Sequence, residues 1–308
     1  MKRVSICICC YNEVENVRLM YDKIVEIMES ISDIQFEIIF SDNDSKDGTQ
    51  DILKELAKKD KRVKVILNIR NFGPARSGRN CIYSSTGDAV IAIPCDFQEP
   101  PEMIPEFIKE WKKDNLIVWG QKVESHENGL KYYLRKLYYK IIQKCADYPQ
   151  FYQTTGFGIM DKSVIKQLMQ MKEPEKSFRH MVAELGYPVK FLPYTQEIRK
   201  RGKSSFNIRR WLDFSIKSLV HTSRQPVRLT TLLGTGLTFL GILGEVVLFV
   251  IRLLAGYTIS WMWFWNFLLL SLMGIQLLAI GFVGEYVIAL STRLSDKPYV
   301  IEKDRINF

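Results

Sequence analysis

The chain has 308 residues, 47% of them hydrophobic and 25% charged, with a formal net charge of +9 from 43 Lys+Arg against 34 Asp+Glu. Composition and size exclude a disordered chain, a collagen-like repeat and a disulfide-knotted miniprotein. The averages hide two unlike parts. Between 229 and 290 only Glu245, Arg252 and Glu285 are charged, so a hydrophobic quarter follows a well-charged portion of about 200 residues, long enough to bury a real core.

In chain order, Val4–Cys10 is a short apolar run that predicts a strand, and a helical pattern runs from Val14 through Met28. The apolar run after Lys2 and Arg3 is too short for a signal peptide, because Asn12 and Glu13 end it. Phe36–Phe40 predicts a second strand that stops at the polar cluster 41–48, and a helix follows from about Thr49 to Lys58. Val63–Leu67 predicts a third strand and Asn68–Gly73 a loop. Pro74 opens a helix to about Ser85, and Ala89–Cys95 predicts a fourth strand. Strands alternating with helices predict an α/β fold with a mostly parallel, doubly wound sheet. Cys7, Cys9, Cys10, Cys81, Cys95 and Cys145 show no paired metal-type spacing with histidine, which predicts buried, reduced thiols.

Ligands of such sheets bind outside the carboxyl ends of the strands. The polar clusters fall there: Tyr11-Asn12-Glu13, Asp42 to Asp47, Arg70-Asn71, and Asp96-Phe97-Gln98-Glu99. No Walker or G-x-G-x-x-G loop is present, which disfavours a P-loop NTPase or a dinucleotide enzyme. Acids at the ends of strands two and four suit a ligand carrying a base, a ribose and a metal-bound diphosphate. One carboxylate accepts from ribose hydroxyls or a base N–H, and another, with an amide oxygen such as that of Gln98, holds a hard divalent cation. Asp42 and Asp44 also fit an ordinary turn, and Asp96 a helix cap before Pro100. Their convergence on one sheet mouth favours a site.

Leu229–Ile251 and Trp261–Gly284 are each long enough to cross a bilayer as a helix, with a short turn around Gly256 between them. Arg199, Lys200, Arg201, Lys203, Arg209, Arg210, Lys217, Arg224 and Arg228 crowd before the first span, and Arg293, Lys297, Lys303 and Arg305 follow the second. The positive-inside bias therefore predicts both termini and the globular domain on the cytoplasmic side, and the expected location is the plasma (inner) membrane, as a multi-pass protein. A membrane surface is favoured over nucleic acid as the partner of this charge. Ile208, Trp211, Leu212, Ile216, Leu219 and Val220 share one helical stripe, which predicts an amphipathic juxtamembrane helix; a core helix is the alternative.

Several stretches resemble motifs of glycosyltransferase family 2. Cys9-Cys10-Tyr11-Asn12-Glu13 is similar to its P-x-Y-N-E, and Asp42 through Thr49 to its D-D-G-S-x-D-G-T. Arg70-Asn71-Phe72-Gly73 matches R-N-x-G, Thr86-Gly87-Asp88-Ala89-Val90 matches T-G-D-A-V, and 94–102 resembles D-A-D-L-Q-D-P-P-E. The nearest resemblance is to the membrane-attached branch of dolichol-phosphate-mannose-synthase-like and bactoprenol glucosyltransferase-like enzymes. It implies a GT-A (Rossmann-like, mostly parallel sheet) catalytic domain over 1–205, an amphipathic helix over 206–228, a two-helix transmembrane hairpin over 229–290 and a cytoplasmic tail over 291–308.

The implied activity is inverting transfer of one sugar from a nucleotide sugar, UDP-linked by expectation, to a polyprenyl phosphate. The implied sugar-nucleotide residues are Tyr11, Asn12, Glu13, Asp42, Asp44, Arg70, Asn71 and Asp96. Asp96 and Gln98 would hold Mg²⁺ or Mn²⁺ and, with Arg135, form the catalytic set. Arg135, Arg199, Arg201 and Lys203 would meet the acceptor phosphate, unless they only attract anionic headgroups. A homo-oligomer, a tetramer in the family, is also implied, and nucleic acid is not.

Two departures stand out. Pro94 replaces the first aspartate of the metal motif, and Thr154-Thr155-Gly156-Phe157-Gly158 lacks the acid of the family's G-D-F-R. A lipid phosphate, already largely ionised near pH 7, attacks without a strong base, so the second departure fits this chemistry. The rivals are a processive polysaccharide synthase, suggested by Asn207-Ile208-Arg209-Arg210-Trp211, and a non-catalytic scaffold that binds nucleotide sugar.

Overall fold

The structure, a computed structural model, describes residues 1–124, 151, 153–171, 178–197 and 300–308, with isolated positions between 254 and 298. Arg135, Arg199, Arg201, Lys203, the amphipathic helix over 206–228 and the first predicted span lie outside the described residues, as does most of the second. Among the described residues no helix is long and apolar enough to cross a membrane.

β1 (Lys2–Cys10), α1 (Val17–Glu29), β2 (Ile34–Asp42), α2 (Thr49–Lys59), β3 (Val63–Asn68), α3 (Pro74–Tyr83) and β4 (Ala89–Pro94) follow the alternation read from the sequence. A 3-10 turn (Pro101–Met103) leads into α4 (Ile104–Trp111) and β5 (Ile117–Glu124). Then come β6 (Gly158–Asp161), α5 (Lys162–Gln170), α6 (Phe178–Leu185), β7 (Lys190–Thr195) and, after the hydrophobic quarter, β8 (Glu302–Ile306). One sheet holds all eight strands in the order β7-β5-β6-β4-β1-β2-β3-β8. The neighbours β3, β2, β1 and β4 run parallel, as do β5 and β7, whereas β6 and β8 run antiparallel to their partners.

The central strands are apolar on both sides because helices cover both faces. On one face Val4, Ile6, Ile8, Ile38 and Phe40 pack against Val17, Met20 and Ile24 of α1, Leu53 and Leu56 of α2 and Phe107 of α4. On the other, Cys7, Ile39 and Val90 meet Ile82 of α3, Val164 and Leu168 of α5 and Met181 of α6. Complete burial of Ile, Phe and Met side chains contributes about 1.5–3 kcal/mol each, so this double sandwich fixes where the strand ends emerge.

Those ends align. Cys10 pairs in register with Asp42, Asp42 with Leu67, and Cys9 with Pro94. Since β2 and β4 flank β1, the chain reverses its direction of travel across the sheet at β1, the place where such folds hold ligands. The tail, which the charge pattern sets apart from the globular portion, rejoins it as β8 on the outer edge of β3. Gly158, where β6 enters between β4 and β5, has φ 143°, and a Cβ there would sit 2.1 Å from the Val118 carbonyl oxygen. The second glycine of Gly156-Phe157-Gly158 is therefore required by backbone packing.

Candidate active site

Asp42 ends β2 completely buried. Its Oδ1 accepts from the Ser45 amide at 3.0 Å and from Gln50 Nε2 at 2.7 Å, while its buried Oδ2 has no hydrogen-bond partner among the described residues. Burial raises its pKa above the ordinary aspartate value, against the opposing pull of Ser45 and Gln50. A buried acceptor left open is costly. Here it stands at the end of β2, where the family resemblance implies a nucleotide, whose base carries N–H donors.

Next to it, three asparagines hold the loop after β3. Asn43 Oδ1 accepts from Asn68 Nδ2 at 3.2 Å and from the Phe72 amide at 3.0 Å, and Asn43 Nδ2 donates to Asn71 Oδ1 at 2.9 Å. Asn68 Nδ2 also donates to Ser77 Oγ at 3.2 Å, and the Asn68 Oδ1 is a second buried acceptor without a partner among the described residues. Asn71 is thus braced, with Oδ1 also accepting from the Gly73 amide at 2.8 Å. Arg70 is exposed, lies 3.9 Å over the Phe72 ring and donates to the Asn71 carbonyl, which leaves its charge at the rim.

The loop after β1 is locked to the loop after β2. Asn12, at φ 56°, donates its amide to Ser45 Oγ at 2.8 Å and accepts at Oδ1 from the Lys46 amide at 3.0 Å. The Glu13 amide donates to Thr49 Oγ1 and the Val14 amide to Asp47 Oδ2, each at 3.0 Å. Left-handed backbone at a non-glycine residue is costly and collects at functional loops; Asn12, Asp44 (φ 67°) and Phe97 (φ 58°) all show it on this edge.

The sequence-predicted residues divide accordingly. Tyr11 is exposed beside the mouth, and Asp42 lies buried at the end of β2 with one oxygen unpartnered among the described residues. Asn12 and Asn71 are spent on loop architecture. The Glu13 carboxylate accepts from Asn16 Nδ2 at 2.6 Å, while its carbonyl starts α1 by accepting from the Asn16 and Val17 amides. The Asp44 carboxylate pairs with Lys46 at 2.6 Å.

Asp96 and Gln98 follow β4 in a tight turn in which Asp96 Oδ1 accepts from the Gln98 amide at 3.2 Å. The Gln98 carbonyl accepts from the Glu197 amide, so the segment after β7 closes over this turn. Both side chains are half-buried. Among the described residues no three His, Cys, Asp or Glu converge as a metal cage. One carboxylate plus one amide oxygen instead suits a hard cation completed by water and phosphate oxygens, the usual arrangement for Mg²⁺ at a diphosphate.

Glu99 lies in the polar cluster 96–99 flagged in the sequence but was assigned no role there. It is 3% exposed, and its Oε1 accepts from Thr155 Oγ1 at 3.2 Å and Tyr194 OH at 3.4 Å. Burial pushes its pKa up and the charge of Asp96 adds to this, while Lys122 opposes it; burial and Glu99 together push the Tyr194 phenol up. Glu99 thereby ties the Asp96 turn to Thr155 and to β7. Asn43, inside the flagged cluster 42–47, was likewise given no role, and Asn68 was missed although it ends β3 and so meets the rule that flagged Asp42. Behind the site the thiols of Cys9 and Cys10 are held well above the ordinary value by hydrogen bonding with Cys81 and Cys95 and by burial, as inert structural cysteines are.

Residues 5–169 match the Glycosyl transferase family 2 model. That is more than half of the chain, and the protein belongs to this family; it is a glycosyltransferase. Among relatives, the glycosyltransferase YkcC of Bacillus subtilis is 27% identical over 97% of this chain and 93% of its own. The glycosyltransferase sll0501 of Synechocystis is 26% identical over 98% and 95%. The bactoprenol glucosyl transferase of Shigella phage SfX is 26% identical over 98% and 99%.

Proposed function

We propose that the protein is a membrane-bound inverting transferase that moves a single sugar from a nucleotide sugar, UDP-linked, to a polyprenyl phosphate. The observation that carries this reading is the end-to-end match to bactoprenol glucosyl transferases, which takes in the hydrophobic quarter as well as the catalytic domain. The described positions Trp265, Leu269, Ile280, Val283, Val287 and Leu290 are helical with exposed apolar side chains, which supports a lipid-facing surface there. On this reading the chain lies in the plasma membrane with its catalytic domain cytoplasmic and associates as a homo-oligomer.

The chemistry follows from the residues. Asp42 Oδ2 would accept the N–H of the base, and the braced loop 69–73 would flank the nucleotide. Asp96 and Gln98 would hold a divalent cation, which supplies charge neutralisation for the departing diphosphate. No acid stands in 154–158, and the nearby Glu99 is engaged with Thr155 and Tyr194. An acceptor hydroxyl needs a base, whereas a phosphate monoester is already ionised near pH 7. Arg135, Arg199, Arg201 and Lys203 would hold that phosphate.

The test is turnover by the purified full chain in detergent with a panel of UDP- and GDP-sugars and a short-chain polyprenyl phosphate. One sugar on the lipid, with Arg135→Ala and Arg201→Ala each lowering acceptor kcat/KM about 10-fold or more, is the expected result. A long polymer, transfer only to hydroxyl acceptors, or nucleotide binding without transfer would overturn it.

A further inference from the structure

We propose that β8, contributed from beyond the hydrophobic quarter, is a positioning element for the nucleotide-binding loop 69–73, acting through the contact of its Glu302 with Asn80 of α3. The inference rests on the donor-site reading above and goes beyond it, because no β8 residue is part of the site itself.

β8 grips both chain segments from which that loop hangs. On the strand side it pairs antiparallel with β3, Ile306 opposite Val65, Arg305 opposite Ile66 and Asp304 opposite Leu67. The register then slips between Leu67 and Asn68, so that Glu302 stands opposite Asn68. One residue further, the Ile69 amide donates to the Ile301 carbonyl at 3.1 Å, which extends the grip into the loop. On the helix side Asn80 Nδ2 donates to Glu302 Oε1 at 2.6 Å, and Arg305 donates to Ser84 Oγ at 3.0 Å. Arg305 also pairs with Glu302, which holds the carboxylate below its ordinary pKa and keeps it an acceptor. The end of the tail is pinned in turn. Asn307 Nδ2 donates to the carbonyls of Ala57 and Val63, and Lys64 and Arg305 both lie over the Phe308 ring.

The loop's inner contacts depend on that grip. Asn68 stands opposite Glu302 and donates to Asn43, which in turn receives the Phe72 amide and donates to Asn71. Ser77, which accepts from Asn68 at 3.2 Å, lies on α3 one turn before Asn80. Loosening the Asn80–Glu302 contact therefore removes the tie between α3 and β8 nearest the three-asparagine network and leaves Arg305–Ser84 as the tie further along the helix. Donor affinity should then fall with the chemical step unchanged, because Asp96 and Gln98 hang from β4 on the other side of β1.

The experiment uses the full chain in detergent. Uridine diphosphate with Mg²⁺ is titrated calorimetrically, and initial rates are measured against nucleotide sugar and against polyprenyl phosphate. Glu302→Ala should raise the uridine diphosphate Kd and the donor KM about 5- to 10-fold, less than the full weight of one hydrogen bond to a charged group because the contact reaches the donor only through the loop. The acceptor KM should hold and kcat stay within twofold. Glu302→Gln, which keeps an acceptor for Asn80, should recover most of the loss. Asn80→Ala removes the same contact from the helix side and should reproduce the Glu302→Ala split, which covers the case in which the tail variant fails to fold. A wild-type chain that does not bind uridine diphosphate would overturn the donor reading, and this inference with it. Wild-type binding with an unchanged donor KM in both alanine variants, or a parallel loss of kcat and both KM values, would overturn the positioning role alone.

Discussion

Asp42 and Glu37 are buried carboxylates five residues apart on β2, Asp42 at its last residue and Glu37 in its first half, and they are treated in opposite ways. Glu37 is saturated. Its Oε1 accepts from Ser5 Oγ at 2.5 Å and the Thr86 amide at 2.7 Å, and its Oε2 accepts from Thr86 Oγ1 at 2.8 Å and pairs with Lys64 at 2.7 Å. Burial opposes its ionisation, but Lys64, Ser5 and Thr86 outweigh burial and hold its pKa at about 2. Asp42 keeps one oxygen open, and burial moves its pKa up. The end of the sheet away from the loops stabilises the fold, and the mouth gives up stability to keep an acceptor available. Sites that break local rules in this way are where function is expected.

The largest effect should come from Asp96→Ala, which removes the one carboxylate left in the core of the metal motif. Transfer should fall about 10³-fold with the melting temperature unchanged, and chelation should act on the wild type in the same way until Mg²⁺ or Mn²⁺ is restored. Full activity in EDTA would remove the cation from the reading. Asp42→Asn and Glu37→Gln then set the two ends against each other. Asp42→Asn should weaken donor binding about 10- to 100-fold, as loss of a hydrogen bond to a charged group does, and should leave Tm equal or higher. Glu37→Gln should lower stability by about 2–3 kcal/mol, since it removes the charge that pairs with half-buried Lys64 and is held by Ser5 and Thr86, with unchanged donor and acceptor KM. An Asp42→Asn protein that unfolds, or a Glu37→Gln protein that loses donor affinity, would break the contrast.

The pH dependence sharpens it. The Glu37 pKa is lower folded than unfolded, so its contribution is complete above the unfolded value near 4.5 and is lost as pH falls towards about 2. Denaturant melts should show a loss approaching about 3 kcal/mol across that window, and Glu37→Gln should flatten it. The smallest change is expected from Glu99→Gln. The amide oxygen can still accept from Thr155 and Tyr194 and the site already disfavours the charge, so both KM values should move less than about threefold. A larger loss would show that Glu99 acts through its charge.

The first four strands and the helices between them were legible in the sequence because each is a local pattern, an apolar run ended by turn chemistry. β6 and β8 were not. Gly158–Asp161 is four residues long, with partners at 89–92 and 117–119, and Glu302–Ile306 is mostly charged because it is an exposed edge. Neither carries a periodic signal, since tertiary pairing alone makes it a strand. Likewise Asp42 and Asp96 were found from their place at strand ends, while Glu99, in the same polar cluster as Asp96, was given no role of its own. Its significance comes from Thr155 and Tyr194, which only the closed sheet brings near.

The position of β8 has a consequence for how the protein is made. The outer edge of β3, with the apolar run Val65-Ile66-Leu67, gains its partner only when residues 302–306 emerge. About 230 residues are translated in between, which at 5–20 residues per second takes roughly 10 to 50 s. Throughout that interval the nascent domain carries an unpaired, hydrophobic strand edge, the kind that templates aggregation. Ribosome-bound chains stalled before residue 300 should therefore be the aggregation-prone, chaperone-dependent form, and emergence of residues 302–306 is what ends that exposure.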